Sequence, residues 1–406
     1  MIKKIFSFFS ILLLIVSFPF FIKYLIQNKK IKVLNRIYFN YPGIINKKKD
    51  CPNYDYLLEN YLDNTFSVTI IDEKGSLITT YNSNKLMVPA SNQKLFSSAY
   101  VLSKFKLNRH LKTSLFKSRN NYYLIGQGDP DLNYSDIYKL LSYIKENKNI
   151  NFNILEIDSK LFWPYGWKSS DKLYKYGAPI TTLALESNNN KYDDIYTLKE
   201  VIDKYLKDKY PSSKINLKIS NLREIFYIRN AKEIKKVKSN PIISLLTLAN
   251  SESHNFTAES LYKNASNSWN TNNYYKLKDW IKQKGLPIEK TNFVDASGLS
   301  RENKTTTNLI ALFLDKMKYS KNFKTYQSTL SIIGVRGTLS NKLTNSELAG
   351  KFFGKTGTLS NVFALSGYLY KNKEPIIISI IQNSDQIDKS KTFKLLKDIY
   401  ELKSCK

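Results

Sequence analysis

The longest apolar run in the chain lies at its start. Residues 5–22, from Ile5 to Ile22, carry no charge and follow Lys3 and Lys4. Eighteen such residues are just long enough to span a bilayer. They exceed a typical signal-peptide core, and no A-x-A-like cleavage site follows. The segment 1–22 therefore reads as an uncleaved signal-anchor, with a cleaved signal peptide as the alternative. The Lys- and Asn-rich stretch 23–50 reads as a linker. Beyond it the pattern changes to alternation. "TFSVTIIDEKGSLITTYN" (65–82) alternates about Glu73-Lys74-Gly75, which predicts a β-hairpin. A helical period follows, with Leu95, Phe96, Ala99, Tyr100 and Leu102 on one face. "NYYLIGQGDPDL" (121–132) predicts a short strand entering a turn. The stretch 239–261 predicts a helix after Pro241, interrupted at a Ser/Asn cluster. "DASGLSREN" (295–303) predicts a loop. Residues 354–383 predict two strands joined at Lys371 to Glu374, and "SKTFKLLKDIYEL" predicts a closing amphipathic helix.

A hairpin and helix thus open the chain after the linker, and strands and a helix close it. The mixed Tyr-, Lys- and Asn-rich region between them reads as an insertion. The expected fold class is α/β (α+β), with one domain formed by 51–106 and 240–406 and an inserted domain at 107–239. No internal repeat is present.

Composition narrows the chemistry. The 406 residues are 42% hydrophobic, enough for a sizeable core, and carry a formal net charge of +29. The basic residues are spread along the whole chain rather than gathered in one stripe, which argues against nucleic acid as a partner. With only two histidines, His110 and His254, a zinc site built mainly from His is excluded, and no cofactor is expected. The two cysteines, Cys51 and Cys405, form no CxxC pair. In an oxidising compartment they could bridge the two ends of the soluble part; two free thiols are the alternative.

Ser91 and Lys94 stand at the first turn of the helix that follows Pro89-Ala90. Positions i and i+3 share a helix face, so the two side chains can touch, and a desolvated amine can take a serine proton. Ser-x-x-Lys alone is weak, since Ser103, Ser114, Ser142, Ser169 and Ser260 also have a lysine three residues on. An N-cap serine and a solvent-facing lysine are the competing reading. Further along lie Ser253-His254-Asn255 and the unique Lys355-Thr356-Gly357, followed by Thr358. A glycine in a strand lets another backbone or a ligand approach closely, and a lysine with threonines can hold a carboxylate.

These three motifs, in this order, resemble those of the serine penicillin-recognising enzymes. "PASNQK", "GQGDPDL", "ANSESHNFTAESL", "DASGLSREN" and "GVRGTL" narrow the resemblance to the D-alanyl-D-alanine carboxypeptidase/endopeptidase family of penicillin-binding protein 4 type, over about residues 65–385. The resemblance implies a β-lactamase/transpeptidase-like domain and a serine D,D-peptidase outside the cytoplasm, in the periplasm and tethered by residues 5–22. An enzyme of that kind would act on peptidoglycan stem peptides and take β-lactams as covalent inhibitors. It implies Ser91 as nucleophile, Lys94 as its base, Ser253 and Asn255 in proton relay and orientation, and Lys355 with Thr356, Gly357 and Thr358 at the substrate carboxylate. Asp158 and Arg301 would contact the substrate side chain. Three departures are visible. His254 stands where the family usually has Asp, Ala296 where it has Gly, and the stretch between Ser91 and Ser253 is short, which leaves one inserted domain and at most a remnant of another. Two rivals stay open: a β-lactamase, for which Glu186 is the one tempting base, and an inactive wall-binding scaffold of the same fold.

Overall fold

The computed structural model describes residues 50–189, 195–223, 230–272 and 274–402. The 5–22 span, the 23–50 linker apart from its last residue, and Cys405 lie outside the described residues. Cys51 itself is buried and disulfide-bonded. No helix among the described residues is long and apolar enough to cross a membrane.

In chain order the strands are β1 (Phe66–Ile71), β2 (Leu77–Tyr81), β3 (His110–Ser118), β4 (Asn121–Ile125), β5 (Asn149–Glu156), β6 (Lys214–Asn221), β7 (Lys232–Pro241), β8 (Ser331–Ile332), β9 (Phe352–Leu359), β10 (Val362–Tyr370) and β11 (Pro375–Asn383). The α-helices are α1 (Pro52–Tyr61), α2 (Gln93–Lys104), α3 (Tyr134–Leu141), α4 (Ile195–Lys209), α5 (Ile242–Ser251), α6 (Asn255–Ser266), α7 (Tyr275–Lys282), α8 (Thr307–Lys318), α9 (Phe323–Ser328) and α10 (Lys389–Glu401).

Two sheets organise the chain. The first is antiparallel, in the order β2-β1-β11-β10-β9-β8. Both of its faces are covered, which is why β11 reads as a continuous apolar run rather than an alternation. Ile377 and Ile381 point into a core shared with α2, α5, α6 and α8. Ile376, Ile378 and Ile380 point into a second core closed by α1 and α10. The second sheet, β6-β5-β4-β3-β7, comes wholly from residues 110–241 and is mixed: β4, β5 and β6 run parallel, while β3 is antiparallel to both neighbours. Its own core is packed under α3 and α4. The fold is therefore the mixed α/β arrangement expected, with antiparallel and mixed sheets flanked by helices.

One expectation is corrected. Residues 354–383 were expected to hold two strands, and the structure has three elements there. β9 and β10 form a hairpin closed at Ser360-Asn361, with Leu359 paired to Val362. Neither loop residue is a Gly or Pro and neither takes a positive φ, so the usual hairpin signal is missing from the sequence. The consequence is functional. Lys355, Thr356 and Gly357 lie on a strand whose outer neighbour, β8, pairs only with Phe353 and Gly354. From Lys355 onward that edge of β9 is unpaired by β8.

Candidate active site

Ser91 sits in a single 3₁₀ turn, Ala90–Asn92, which leads into α2. Neither Pro89 nor Asn92, the capping positions, makes a side-chain cap hydrogen bond. Ser91 is not spent on capping either: its Oγ lies 2.9 Å from Lys94 Nζ. The turn is strained and tightly held. Ala90 has φ +46°, a conformation that disfavours any residue with a Cβ. Two glycines make room for it. A Cβ on Gly298 would lie 1.9 Å from the Ala90 carbonyl oxygen, and one on Gly357 would lie 2.6 Å from the Pro89 carbonyl oxygen and 3.0 Å from Ser91 N. The backbone of β9 and that of the 295–300 loop thus press on the turn from two sides.

Lys94 is fully buried on α2. Its ammonium group donates to Ser91 Oγ, to Asn255 Oδ1 at 2.6 Å and to the Ser297 carbonyl at 2.7 Å. Burial pushes its pKa down to about 7, against the opposing pull of the Asp295 and Glu259 carboxylates. Asn255, the first residue of α6, also donates its Nδ2 to the Tyr176 carbonyl at 2.8 Å, tying the segment around Tyr176 to the site. Lys355 is likewise buried and donates to the Thr356 carbonyl at 2.9 Å. Burial, followed by the repulsion of Lys94, holds it well below the usual lysine range, while Glu252 pulls the other way.

Ser91, Ser253, Asn255, Thr358 and Arg301 line one cleft of about 620 Å³; Lys94 and Lys355 are fully buried and do not line it, and Lys94 reaches it through its contacts with Ser91 and Asn255. Ser253 has φ +63°, a second non-glycine residue held in the left-handed region. Such strain persists only where the surroundings enforce it, and clusters at functional sites.

Two residues expected in the site are placed elsewhere. Asp158 is exposed and accepts from Lys160 N at 2.9 Å, so its carboxylate caps a surface turn. Thr356 does not line the cleft, although it shares a face of β9 with Thr358, and its hydroxyl lies 2.7 Å from that of Thr338 in the "GVRGTL" segment. Two acids do line the cleft, Glu252 and Asp171, and Asp171 pairs with Arg301 at 2.5 Å. Lys168, Tyr174 and Tyr176 join it from the same segment, the two tyrosine rings stacked 5.3 Å apart. Sequence reasoning missed these because nothing in a stretch of Tyr and Lys distinguishes them from a solvated surface. Glu186 is exposed and does not line the cleft.

A second group missed in the sequence lies beneath the site. Glu259 and Asp295 are both fully buried. Glu259 accepts from Ala296 N at 2.9 Å, Ser297 N at 2.8 Å and the Tyr274 hydroxyl at 2.8 Å. Asp295 accepts from Gly298 N and Ser300 N, both at 2.7 Å, from Asn303 Nδ2 at 2.8 Å and from Trp167 Nε1 at 3.0 Å. Together they fix the loop that presents the Ser297 carbonyl to Lys94. Ala296 does not need a positive φ, which explains why the usual glycine is dispensable there.

His254 is the N-cap of α6. Its Nδ1 accepts from Thr257 N at 3.4 Å and lies 2.8 Å from Thr257 Oγ1. This is the work an aspartate does at an N-cap. Burial, with Lys94 adding to it, pushes its pKa down to about 4. The folded state therefore holds fewer protons than the unfolded chain between about pH 4 and 6.5, and stability falls as the pH drops through that window. His254→Asp keeps the cap and is expected to leave turnover within a few-fold of wild type. It should also shrink the fall in melting temperature between pH 7 and pH 5. An activity loss above tenfold would show that the imidazole does more than cap.

The fold places the chain in a class. Penicillin binding protein 4 from Haemophilus influenzae superposes with a TM-score of 0.66 at 20% identity, covering 86% of this chain and 98% of that one. A predatory peptidoglycan endopeptidase from Bdellovibrio bacteriovorus superposes with a TM-score of 0.53 at 15% identity, covering 82% and 90%. The profile of the D-Ala-D-Ala carboxypeptidase 3 (S13) family matches residues 56–196 and 195–401, and the chain belongs to that family. A D-alanyl-D-alanine carboxypeptidase of an Actinomadura species is 33% identical over 106 residues, 24% of this chain and 20% of the relative's length. The match thus spans about a fifth of that curated relative.

Proposed function

We propose that the chain is a serine D,D-peptidase that cleaves the D-Ala-D-Ala terminus of peptidoglycan stem peptides, D,D cross-links between them, or both, and that β-lactams acylate it. The observation that carries this reading is the contact between Ser91 Oγ and a buried Lys94 whose pKa lies near 7, a lysine able to be neutral when a proton must be taken. Residues 51–106 and 240–406 are read as the catalytic unit and 107–239 as its insert.

The substrate's extended backbone adds to the free edge of β9, so that main-chain hydrogen bonds fix its register. Lys355 draws its carboxylate, and Thr358 receives it. Lys94 takes the Ser91 proton as Oγ attacks the penultimate carbonyl. The backbone N–H groups of Ser91 and Thr358 hold the resulting oxyanion, a contribution of about 3 kcal/mol. Collapse breaks the C–N bond, and the departing amine receives the Lys94 proton through Ser253. Water, losing its proton back to Lys94, then frees Ser91. Arg301, paired with Asp171, and the tyrosine pair border the stem-peptide side of the cleft. Substrates of this kind lie outside the cytoplasm, which agrees with residues 5–22 as a tether to the cytoplasmic membrane. The β-lactamase alternative loses support because Glu186 is not in the cleft.

Incubating the protein with purified muropeptides tests the reading. Loss of one D-alanine mass from pentapeptides, or conversion of D,D-linked dimers to monomers, is the expected result. Unchanged muropeptides, together with no penicillin adduct on Ser91 by peptide mapping, would refute it.

A further inference from the structure

Lysines that are scattered along the sequence are gathered by the fold on one face, remote from the cleft. A groove of about 690 Å³ has an apolar floor that includes Leu102, Phe105, Trp280, Phe313 and Met317. Its rim carries Lys104, Lys106, Lys284, Lys316 and Lys321. Beside it, sharing Asn108, lies a basic recess of about 500 Å³ bordered by Arg109, Lys112, Lys236 and Lys238. Among the described residues no Asp or Glu lines either one, although Lys236 pairs with Glu233 at 2.5 Å. Leu107, on the groove beside the shared Asn108, is 38% exposed.

Several of these cations rest on aromatic rings. The Arg109 guanidinium lies 4.1 Å from the centre of Phe105, and the Lys284 ammonium 4.3 Å from that of Trp280. Lys284 is held down to about 8 by burial and by Lys316. A long apolar stem beneath a charged head is the arrangement that suits a boundary between water and an apolar phase.

We propose that this face docks on an anionic phospholipid bilayer, with lipid phosphates against the lysine rim and basic recess and the lipid's apolar part entering the groove. Charge complementarity selects the anion. The apolar floor selects a lipid surface over a soluble polyanion, which would gain nothing from burying Phe105, Trp280 and Leu107. The orientation is consistent with work on a wall polymer. α2 begins beside Ser91 and ends at Lys104, and twelve helical residues span about 18 Å. The cleft and the docking face therefore sit at opposite ends of one helix, and the cleft looks away from the bilayer. Each basic residue close to an anionic surface strengthens partitioning roughly fivefold, so three of them together account for about 100-fold.

The test uses the full chain reconstituted in vesicles carrying a headgroup spin label. Half the preparations contain phosphatidylcholine alone, and half contain about one-third phosphatidylglycerol. Tryptophan quenching is expected only with phosphatidylglycerol, is expected to vanish in Trp280→Phe, and is expected to fade at high salt. The triple variant Lys104→Glu/Lys106→Glu/Lys112→Glu should lose the quenching while its near-ultraviolet circular dichroism stays that of the wild type. Equal quenching in both vesicle types, quenching that survives the triple variant, or quenching that persists in Trp280→Phe would overturn the proposal. Tight binding of soluble dextran sulfate without any lipid quenching would overturn it too, and would assign the face to a polyanion.

Discussion

Lys94→Met is expected to slow acylation of Ser91 by a β-lactam about 10³- to 10⁴-fold, the upper part of the range for removing a positioned general base, while raising the melting temperature. The first half follows from the contact with Ser91 Oγ. The second follows from linkage. The folded-state pKa of Lys94 is lowered from 10.5 to about 7. Between those values the unfolded chain binds the proton and the folded chain releases it, so stability rises with pH across that window. Below about pH 7 the burial penalty is present in full, roughly 4–5 kcal/mol at 1.4 kcal/mol per unit. Methionine fills similar space and removes that penalty. It forfeits the bonds to Asn255 and to the Ser297 carbonyl, which returns about 1–3 kcal/mol of the gain. A net gain of about 2 kcal/mol remains, or a few degrees in a thermal melt. The wild-type acylation rate should itself climb with pH through about 7 as Lys94 becomes neutral. A Lys94→Met protein that labels at the wild-type rate, or melts lower, would contradict this account of the site.

Such a trade of stability for reactivity bears on what the sequence could reveal. Ser91, Lys94, Ser253, Asn255 and Lys355 were legible because each stands in a short motif whose chemistry requires its residue type, and whose order along the chain is rare by chance. The scaffold was legible where periodicity was clean, as in the 65–82 hairpin and in the break between α5 and α6 at Ser253. Side-chain direction was not legible. Thr356 and Thr358 look equivalent in sequence, yet Thr356 meets Thr338 and Thr358 meets the cleft, since sharing a face of β9 does not mean sharing its surroundings. Long-range pairing was also hidden. Nothing near Asp171 announces Arg301, 130 positions away. The cationic face was hidden for the same reason: its members come from α2, the loop after it, β3, β7, and the region of α7 and α8. Glu259 was in plain view in "NFTAESL", but only folding shows that it is buried beneath the nucleophile.

Glu259 carries the second large effect. We expect Glu259→Ala to lower acylation about 100-fold and to destabilise the protein by about 2–4 kcal/mol. The carboxylate never reaches the cleft, so its action is positional. Without it the N–H groups of Ala296 and Ser297 and the Tyr274 hydroxyl lose their acceptor inside a dry core, each at a cost of about 1–3 kcal/mol. Part of that loss is offset, since burial already pushes the Glu259 pKa up to about 7 and its ionised form is costly at neutral pH. The loop then no longer fixes the Ser297 carbonyl on Lys94. Glu259→Gln separates geometry from charge. Its amide oxygen can still accept from both N–H groups, so the maximal acylation rate should stay within about tenfold of wild type. The charge is gone, however, and Glu259 is one of two carboxylates that raise the Lys94 pKa. Of the other ionisable groups around Lys94, Asp295 acts in the same sense, Lys355 is unchanged by the substitution and has its own pKa lowered by burial and by Lys94, and His254 is uncharged above about pH 5. The acid limb of the acylation profile should therefore move to lower pH in Glu259→Gln. A merely structural glutamate would leave that limb where it is, and a profile of rate constants for a chromogenic β-lactam from pH 5 to 9 distinguishes the two.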